Sequence, residues 1–147
     1  MLENLPLIGK LMLKAKLQGK TIYYIEDNVA NQASVQTILE RNGGNVIIDN
    51  WGDCRLTRFD EDVVDIVIID LSLKGPKSGF DIGKQILEGE KEIPVLIMSG
   101  RDPAEVVEKA KREGYSGFVQ KPVPLMKIPE IVQRVLDGED IWPNPRL

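Results

Sequence analysis

From residue 20 onward, short β-branched runs alternate with longer amphipathic stretches. The runs are Thr21-Ile22-Tyr23-Tyr24-Ile25, Asn45-Val46-Ile47-Ile48, Asp65-Ile66-Val67-Ile68-Ile69, Pro94-Val95-Leu96-Ile97-Met98 and Gly117-Phe118-Val119-Gln120. The third and fourth are apolar nearly throughout, the pattern of strands covered on both faces in a parallel sheet. The stretches between them predict helices. Asn28 can cap one from about Val29, and Asn42-Gly43-Gly44 can end it in left-handed conformations. A weaker helix is predicted from Trp51 to about Phe59. Ser78 can cap the next, in which Phe80, Gly83 and Ile86/Leu87 share a face. Asp102-Pro103-Ala104-Glu105 reads as cap, first helical position and the far corner of a capping box. Leu125, Ile128, Ile131, Val132, Val135 and Leu136 form the stripe of a last helix, and Pro129 fits only in its first turn. Five strands, each followed by a helix, predict an α/β fold of the (βα)5 type with a parallel sheet, its most apolar third strand central.

Both ends extend this pattern. Residues 1–19 precede the first strand as an extension, with Ile8, Leu11, Met12 and Ala15 at helical spacing and Lys10 and Lys14 elsewhere on the wheel. This predicts an added N-terminal helix docked on its own domain or on a second copy, with partner binding and membrane-surface contact as alternatives. Residues 20–138 form the domain. Residues 139–147 are a tail in which Trp142-Pro143-Asn144-Pro145 cannot be helical.

Composition narrows the chemistry. The 147 residues carry a formal net charge of −4, with 42% hydrophobic and 29% charged positions, an ordinary globular balance. An isoelectric point near 5.0 argues against direct nucleic-acid binding, which favours a basic face. There is no histidine, so histidine catalysis and ligation are excluded, and the one cysteine, Cys54, allows neither an internal disulfide nor a cysteine-based zinc cluster. Cys54 and Trp51 read as packing residues. No apolar run reaches the ~18 residues of a membrane span. The lysines among the first 16 residues spoil a signal peptide. A lone thiol and no targeting signal point to a cytoplasmic location.

Four strands end in polar residues that a core does not need: Glu26-Asp27 after the first, Asp70 after the third, Ser99 closing the fourth and Lys121 after the fifth. Singly, each has a plain explanation as a helix cap, a turn or a surface lysine. An open parallel sheet, however, binds ligands at the carboxyl ends of its strands. The five residues are therefore expected to converge at one edge.

These motifs carry a family resemblance. Ile25-Glu26-Asp27-Asn28, Ile68-Ile69-Asp70, Ser78-Gly79-Phe80, Ile97-Met98-Ser99-Gly100 and Phe118-Val119-Gln120-Lys121-Pro122 together resemble the receiver domain of two-component response regulators, over roughly residues 20 to 138. The resemblance implies the doubly wound, flavodoxin-like sheet of strand order 2-1-3-4-5, for which the chemotaxis member is a standard example. It implies a phosphorylation-controlled switch that catalyses its own phosphorylation and slow dephosphorylation, rather than an enzyme. Asp70 would be the phosphoacceptor. Mg2+ would be held by Asp27, Asp70 and the backbone carbonyl of Ser72, with Glu26 acting directly or through water. Three carboxylates against the one ammonium of Lys121 leave an excess of two negative charges, matching one such cation. Lys121 and Ser99 would meet phosphoryl oxygens. The resemblance also implies a cis Lys121–Pro122 bond, a switch in which Ser99 shifts and Phe118 rotates inward, and an acyl-phosphate lifetime set by Ser72 and Arg101. The partners it implies are a histidine kinase or phosphotransfer protein and a downstream protein effector, and it allows a homodimer.

Two departures stand out. The loop Leu71 to Lys77 looks about one residue longer than the common pattern, with Lys74-Gly75-Pro76-Lys77 at its tip. The chain also has no room for a DNA-binding output domain, which fits a stand-alone receiver or a piece of a longer protein. Three rival readings remain. A receiver-like interaction module that takes no phosphate would usually have lost one of these residues. A flavin mononucleotide carrier would need a Gly- and hydroxyl-rich loop where Glu26-Asp27 stands. A Mg2+-dependent phosphohydrolase would commonly carry Asp-x-Asp where this chain has Asp70-Leu71-Ser72.

Overall fold

The computed structural model describes residues 17–50, 56, 58–71 and 78–143. Five parallel strands, β1 (Thr21–Ile25), β2 (Asn45–Asp49), β3 (Ile66–Ile69), β4 (Val95–Ser99) and β5 (Gly117–Gln120), form one sheet in the order β2-β1-β3-β4-β5. The helices are α1 (Val29–Arg41), α2 (Gly79–Leu87), α3 (Pro103–Glu113) and α4 (Ile128–Leu136). This is the flavodoxin-like doubly wound fold, with β3 in the centre as its uniform apolarity predicted.

Strand parity decides which helix each residue meets. Tyr23, Ile25, Val67, Ile69, Val95, Ile97 and Phe118 face one way and pack with Phe80, Ile82 and Ile86 of α2 and Val106 and Ala110 of α3. Ile22, Tyr24, Ile66, Ile68, Leu96 and Met98 face the other way, against Val35, Ile38 and Leu39 of α1 and Ile128, Val132 and Val135 of α4. All four residues of β3 are buried. Leu17, the first described residue, closes the second layer, and its N–H donates to the Asn42 carbonyl at 3.0 Å.

The helix starts follow local chemistry. Asn28 accepts from the N–H of Asn31, and Asp102 from that of Ala104 with Pro103 in the first turn. The capping box closes at Ser78 and Asp81, whereas Glu105 faces Arg101 at 4.0 Å. A single 3-10 turn, Leu125–Lys127, precedes α4, placing Pro129 in the first turn where its missing N–H costs nothing. Of the residues that end α1, Asn42 is not left-handed (φ −98°) and Gly43 alone takes that role (φ +90°). The predicted helix from Trp51 does not include Leu56, Arg58 or Phe59, which are non-helical. Its remainder, with Trp51 and Cys54, lies outside the described residues, as do residues 1–16 of the predicted N-terminal helix and the stretch 72–77 with Ser72, Lys74 and Lys77. Among the described residues no helix is long and apolar enough to cross a membrane.

The tail is not left loose after α4. Ile141 pairs in parallel with Gly117, donating its N–H to Ser116 O at 2.9 Å and accepting from Phe118 N–H at 2.8 Å. This short strap covers the outer edge of β5, an edge otherwise open to pairing with other chains. Trp142 follows it onto the first layer, beside Lys111 of α3.

Candidate functional site

The strand order reverses between β1 and β3, and a crevice opens there at the carboxyl ends of the strands. Glu26 leaves β1 and Asp70 leaves β3, both buried among the chain ends. Gly79, the first residue of α2, sits so close that a Cβ there would meet the Asp70 carbonyl oxygen at 2.7 Å. Only glycine lets α2 approach the strand end this closely, which fixes the backbone beneath the carboxylate.

Lys121 reaches in from the end of β5. Its Nζ lies 2.8 Å from Glu26 Oε1 and 2.9 Å from Asp70 Oδ2. The Lys121–Pro122 bond is cis, as the resemblance implied. Burial pulls the Lys121 pKa down, but the hydrogen bonds and charges of Glu26 and Asp70 outweigh that and leave it raised. Burial raises the pKa of Glu26, Lys121 pulls it back, and the neighbouring Asp70 carboxylate adds to the rise. One ammonium is thus asked to balance two carboxylates packed side by side.

Glu26 is held on nearly every side. Its Oε1 accepts from Asn31 Nδ2 at 2.9 Å and from the Tyr24 hydroxyl at 3.4 Å as well as from Lys121. Its carbonyl accepts from the Gln32 side chain, and its N–H donates to Asp49 O at 3.2 Å. Its second oxygen, Oε2, is buried with no hydrogen-bond donor opposite it. A buried acceptor without a donor is costly, and a hard cation is one partner that removes the cost. Among the described residues no three acidic, histidine or cysteine side chains are gathered tightly enough to hold a metal. Mg2+ needs fewer: it is commonly bound through one or two carboxylates, waters and a phosphate. The donor set here, all oxygen, fits it.

The other predicted residues take graded positions. Asp27 follows Glu26 in the chain and is half-buried. Ser99 is fully buried at the end of β4, and its Oγ accepts from the Arg101 N–H at 3.2 Å, which leaves its proton available to donate. The Arg101 side chain is exposed and turned toward Glu105. Phe118 is only 1% exposed. Its ring is therefore already inside, and the inward rotation expected of it has no outward starting point in this structure. Ser72 lies outside the described residues.

Sequence reasoning missed Tyr24, Asn31 and Gln32. Tyr24 was legible in principle: it stands two residues before Glu26, hence on the same face of an extended strand. The amides of Asn31 and Gln32 carry no such signal, because polar residues in the first turn of a helix are ordinary.

Comparison with known proteins agrees with the fold and identifies the family. Residues 22–133 match the family model of the response regulator receiver domain. The chain is 28% identical over 124 residues to the transcriptional regulatory protein ComA of Bacillus subtilis, covering 82% of this chain and 58% of ComA. It is 28% identical over 119 residues to the sensory/regulatory protein RpfC of Xanthomonas campestris, covering 78% of this chain and 16% of RpfC. Among solved structures, a CheY-like receiver domain protein from Methanospirillum hungatei JF-1 is similar with a TM-score of 0.72 at 20% identity, over 81% of this chain and 94% of that one. The chemotaxis response regulator CheY4 of Vibrio cholerae gives 0.70 at 21% identity, over 79% and 98%.

Proposed function

The chain belongs to the response regulator receiver family, and from that premise we propose that it is a phosphorylation-controlled switch whose phosphoacceptor is Asp70. The observation that carries the reading is the Lys121 ammonium bridging Glu26 Oε1 and Asp70 Oδ2 at 2.8 and 2.9 Å. A lysine at the end of one edge strand and two carboxylates at the ends of the central ones have no packing reason to meet.

In the proposed reaction an Asp70 carboxylate oxygen attacks the phosphorus of a phosphohistidine on a histidine kinase or phosphotransfer protein. The P–O bond forms as the P–N bond breaks, and the imidazole nitrogen keeps the electron pair and takes a proton from water. Carboxylates serve as nucleophiles in such aspartyl-phosphate chemistry. Mg2+, held by Asp70 with Glu26 and Asp27, would supply charge neutralisation between two anions. The Ser72 carbonyl is the proposed third protein donor. Lys121 moves from its carboxylates onto a phosphoryl oxygen, and Ser99 donates its hydroxyl proton to another. Both act on charge already present in a loose, in-line transfer. The same groups later assist slow hydrolysis, with Arg101 at the rim shaping access for water. Because Phe118 already lies inside, the change passed to a downstream protein effector runs through Ser99, the β4–β5 pairing and the strap rather than through an inward swing of the ring.

The test is intact-mass measurement after incubation with a small phosphodonor. One phosphoryl adduct is expected, dependent on Mg2+ and lost in Asp70→Asn. A folded wild type that takes up no phosphoryl group leaves instead an interaction module independent of phosphorylation.

A further inference from the structure

We propose that Asn31, assisted by Tyr24, is a positioning residue that holds the Glu26 carboxylate when Lys121 lets go of it. The inference rests on the phosphoacceptor reading and adds to it a role for two residues outside the expected set. Glu26 Oε1 has three donors: Lys121 Nζ at 2.8 Å, Asn31 Nδ2 at 2.9 Å and the Tyr24 hydroxyl at 3.4 Å. Glu26 Oε2 has none. All three donors thus gather on one oxygen, and the other is buried without a partner.

Transfer requires Lys121 to leave this oxygen for a phosphoryl group. If the ammonium were the only donor, its departure would strand a fully buried carboxylate oxygen, and the carboxylate would be free to turn. Asn31 and Tyr24 remove both penalties. They are neutral, so they do not follow the incoming charge. They also come from different elements, the first turn of α1 and strand β1, so they fix the plane of the carboxylate from two directions. Outer groups that orient a metal-binding carboxylate typically change metal affinity by tenfold or more when removed. Tyr24 is 1% exposed, and its hydroxyl donates to Glu26 Oε1 from within strand β1.

The test has a metal-free arm and a metal arm. In the first, urea midpoints are measured without Mg2+ for Asn31→Ala, Lys121→Met and the double variant. Each single variant leaves Oε1 with a donor and the double removes the two close ones, so the double loss is expected to exceed the sum of the single losses. In the second, Mg2+ binding is measured by calorimetry without phosphodonor for wild type, Asn31→Ala and Tyr24→Phe. Asn31→Ala is expected to weaken binding about tenfold, and Tyr24→Phe by less, in keeping with its longer hydrogen bond. With phosphodonor present, the half-saturating Mg2+ concentration is expected to change by a larger factor than the saturated rate. Additive losses together with Mg2+ affinities within about twofold of wild type would overturn the proposal. A wild type that binds no Mg2+ and accepts no phosphoryl group would sink the phosphoacceptor reading instead, while the metal-free arm still decides whether Asn31 backs up Lys121.

Discussion

Replacing Gly117 by alanine isolates the strap from the rest of the fold. A Cβ at Gly117 would stand 2.5 Å from the backbone oxygen of Ile141, 3.1 Å from its Cβ and 3.0 Å from Leu96 Cδ1. The leucine methyl can yield a few tenths of an ångström. The carbonyl cannot, because it is held at 2.8 Å by the Phe118 N–H while the Ile141 N–H is tied to Ser116 at 2.9 Å. The strap must therefore lift. Lifting it breaks two hydrogen bonds, worth about 1 kcal/mol each, and exposes the half-buried Ile141 and Trp142, worth roughly 1 kcal/mol each at partial burial. Against this stand the freedom regained by the released residues, about 1 kcal/mol for each of one or two of them, and the 0.4–1 kcal/mol by which alanine stiffens the unfolded chain. A net loss of roughly 1–2.5 kcal/mol follows from these terms, or about 3–8 °C in melting temperature for a chain of this size.

The assay is a double-mutant cycle. Urea unfolding is measured for the full chain, for Gly117→Ala, for a chain ended after Gly138, and for the two changes combined. In the shortened chain the obstructing carbonyl is gone, so Gly117→Ala should cost nothing or stabilise slightly. Amide exchange at Phe118 should rise to the same level in Gly117→Ala as in the shortened chain, since both lose the Ile141 acceptor. An equal cost of Gly117→Ala in both backgrounds would refute the reasoning and place the penalty at Leu96 or in β5 itself.

Two further outcomes follow from the charges. Lys121→Met leaves Glu26 and Asp70 facing each other without a cation, and should cost about 3 kcal/mol near neutral pH, as for a broken buried pair. The folded-state pKa of Glu26 is already raised, so the folded form binds the extra proton above the ordinary glutamate range. The cost should then shrink between pH 7 and pH 4, and urea melts showing the same cost at both would refute it. All three tyrosines, Tyr23, Tyr24 and Tyr115, have raised pKa values, chiefly through burial. Their contribution to stability is complete below the ordinary phenol value near 10 and is lost as pH climbs toward the folded values, so ultraviolet titration should show no phenolate before the fold gives way, and then all three together.

How far the sequence could be read depends on what kind of signal each feature leaves. The strands and their centre were legible because burial on both faces leaves an unbroken apolar run, as in Ile66–Ile69. Helix caps were legible because they use few residue types: Asn28, Ser78 and Asp102 all cap as expected. The box, however, closed on Asp81 rather than Glu105. Convergence of Glu26, Asp70 and Lys121 followed from strand ends alone. Strand order came only with the family resemblance, since no residue of β2 states which neighbour it pairs with. The strap left no signal at all. It is a single bridge at Ile141, too short for a period, set between Glu139-Asp140 and Pro143 in what reads as a tail.

That illegible element is tied to β5 and, through the sheet, to β4 and Ser99. Phe118 is joined through its side chain to the first core layer and through its N–H to Ile141. Its neighbour across the sheet is Ile97, two residues before Ser99. A displacement of Ser99 toward Asp70 would pull on β4, and the register Ser99↔Gln120 carries that pull to β5. With the ring already inside, the loosely held part of this edge is the strap, with two hydrogen bonds and two half-buried side chains, Ile141 and Trp142. The physical consequence is that strain arriving at β5 is released more cheaply by parting Ile141 from Gly117 than by repacking Phe118 among Ile97, Val106 and Ala110. Packed cores resist continuous deformation, whereas an edge pair of this size opens for a few kcal/mol at most. Opening the strap would uncover the outer edge of β5 beside Gly117 and Phe118.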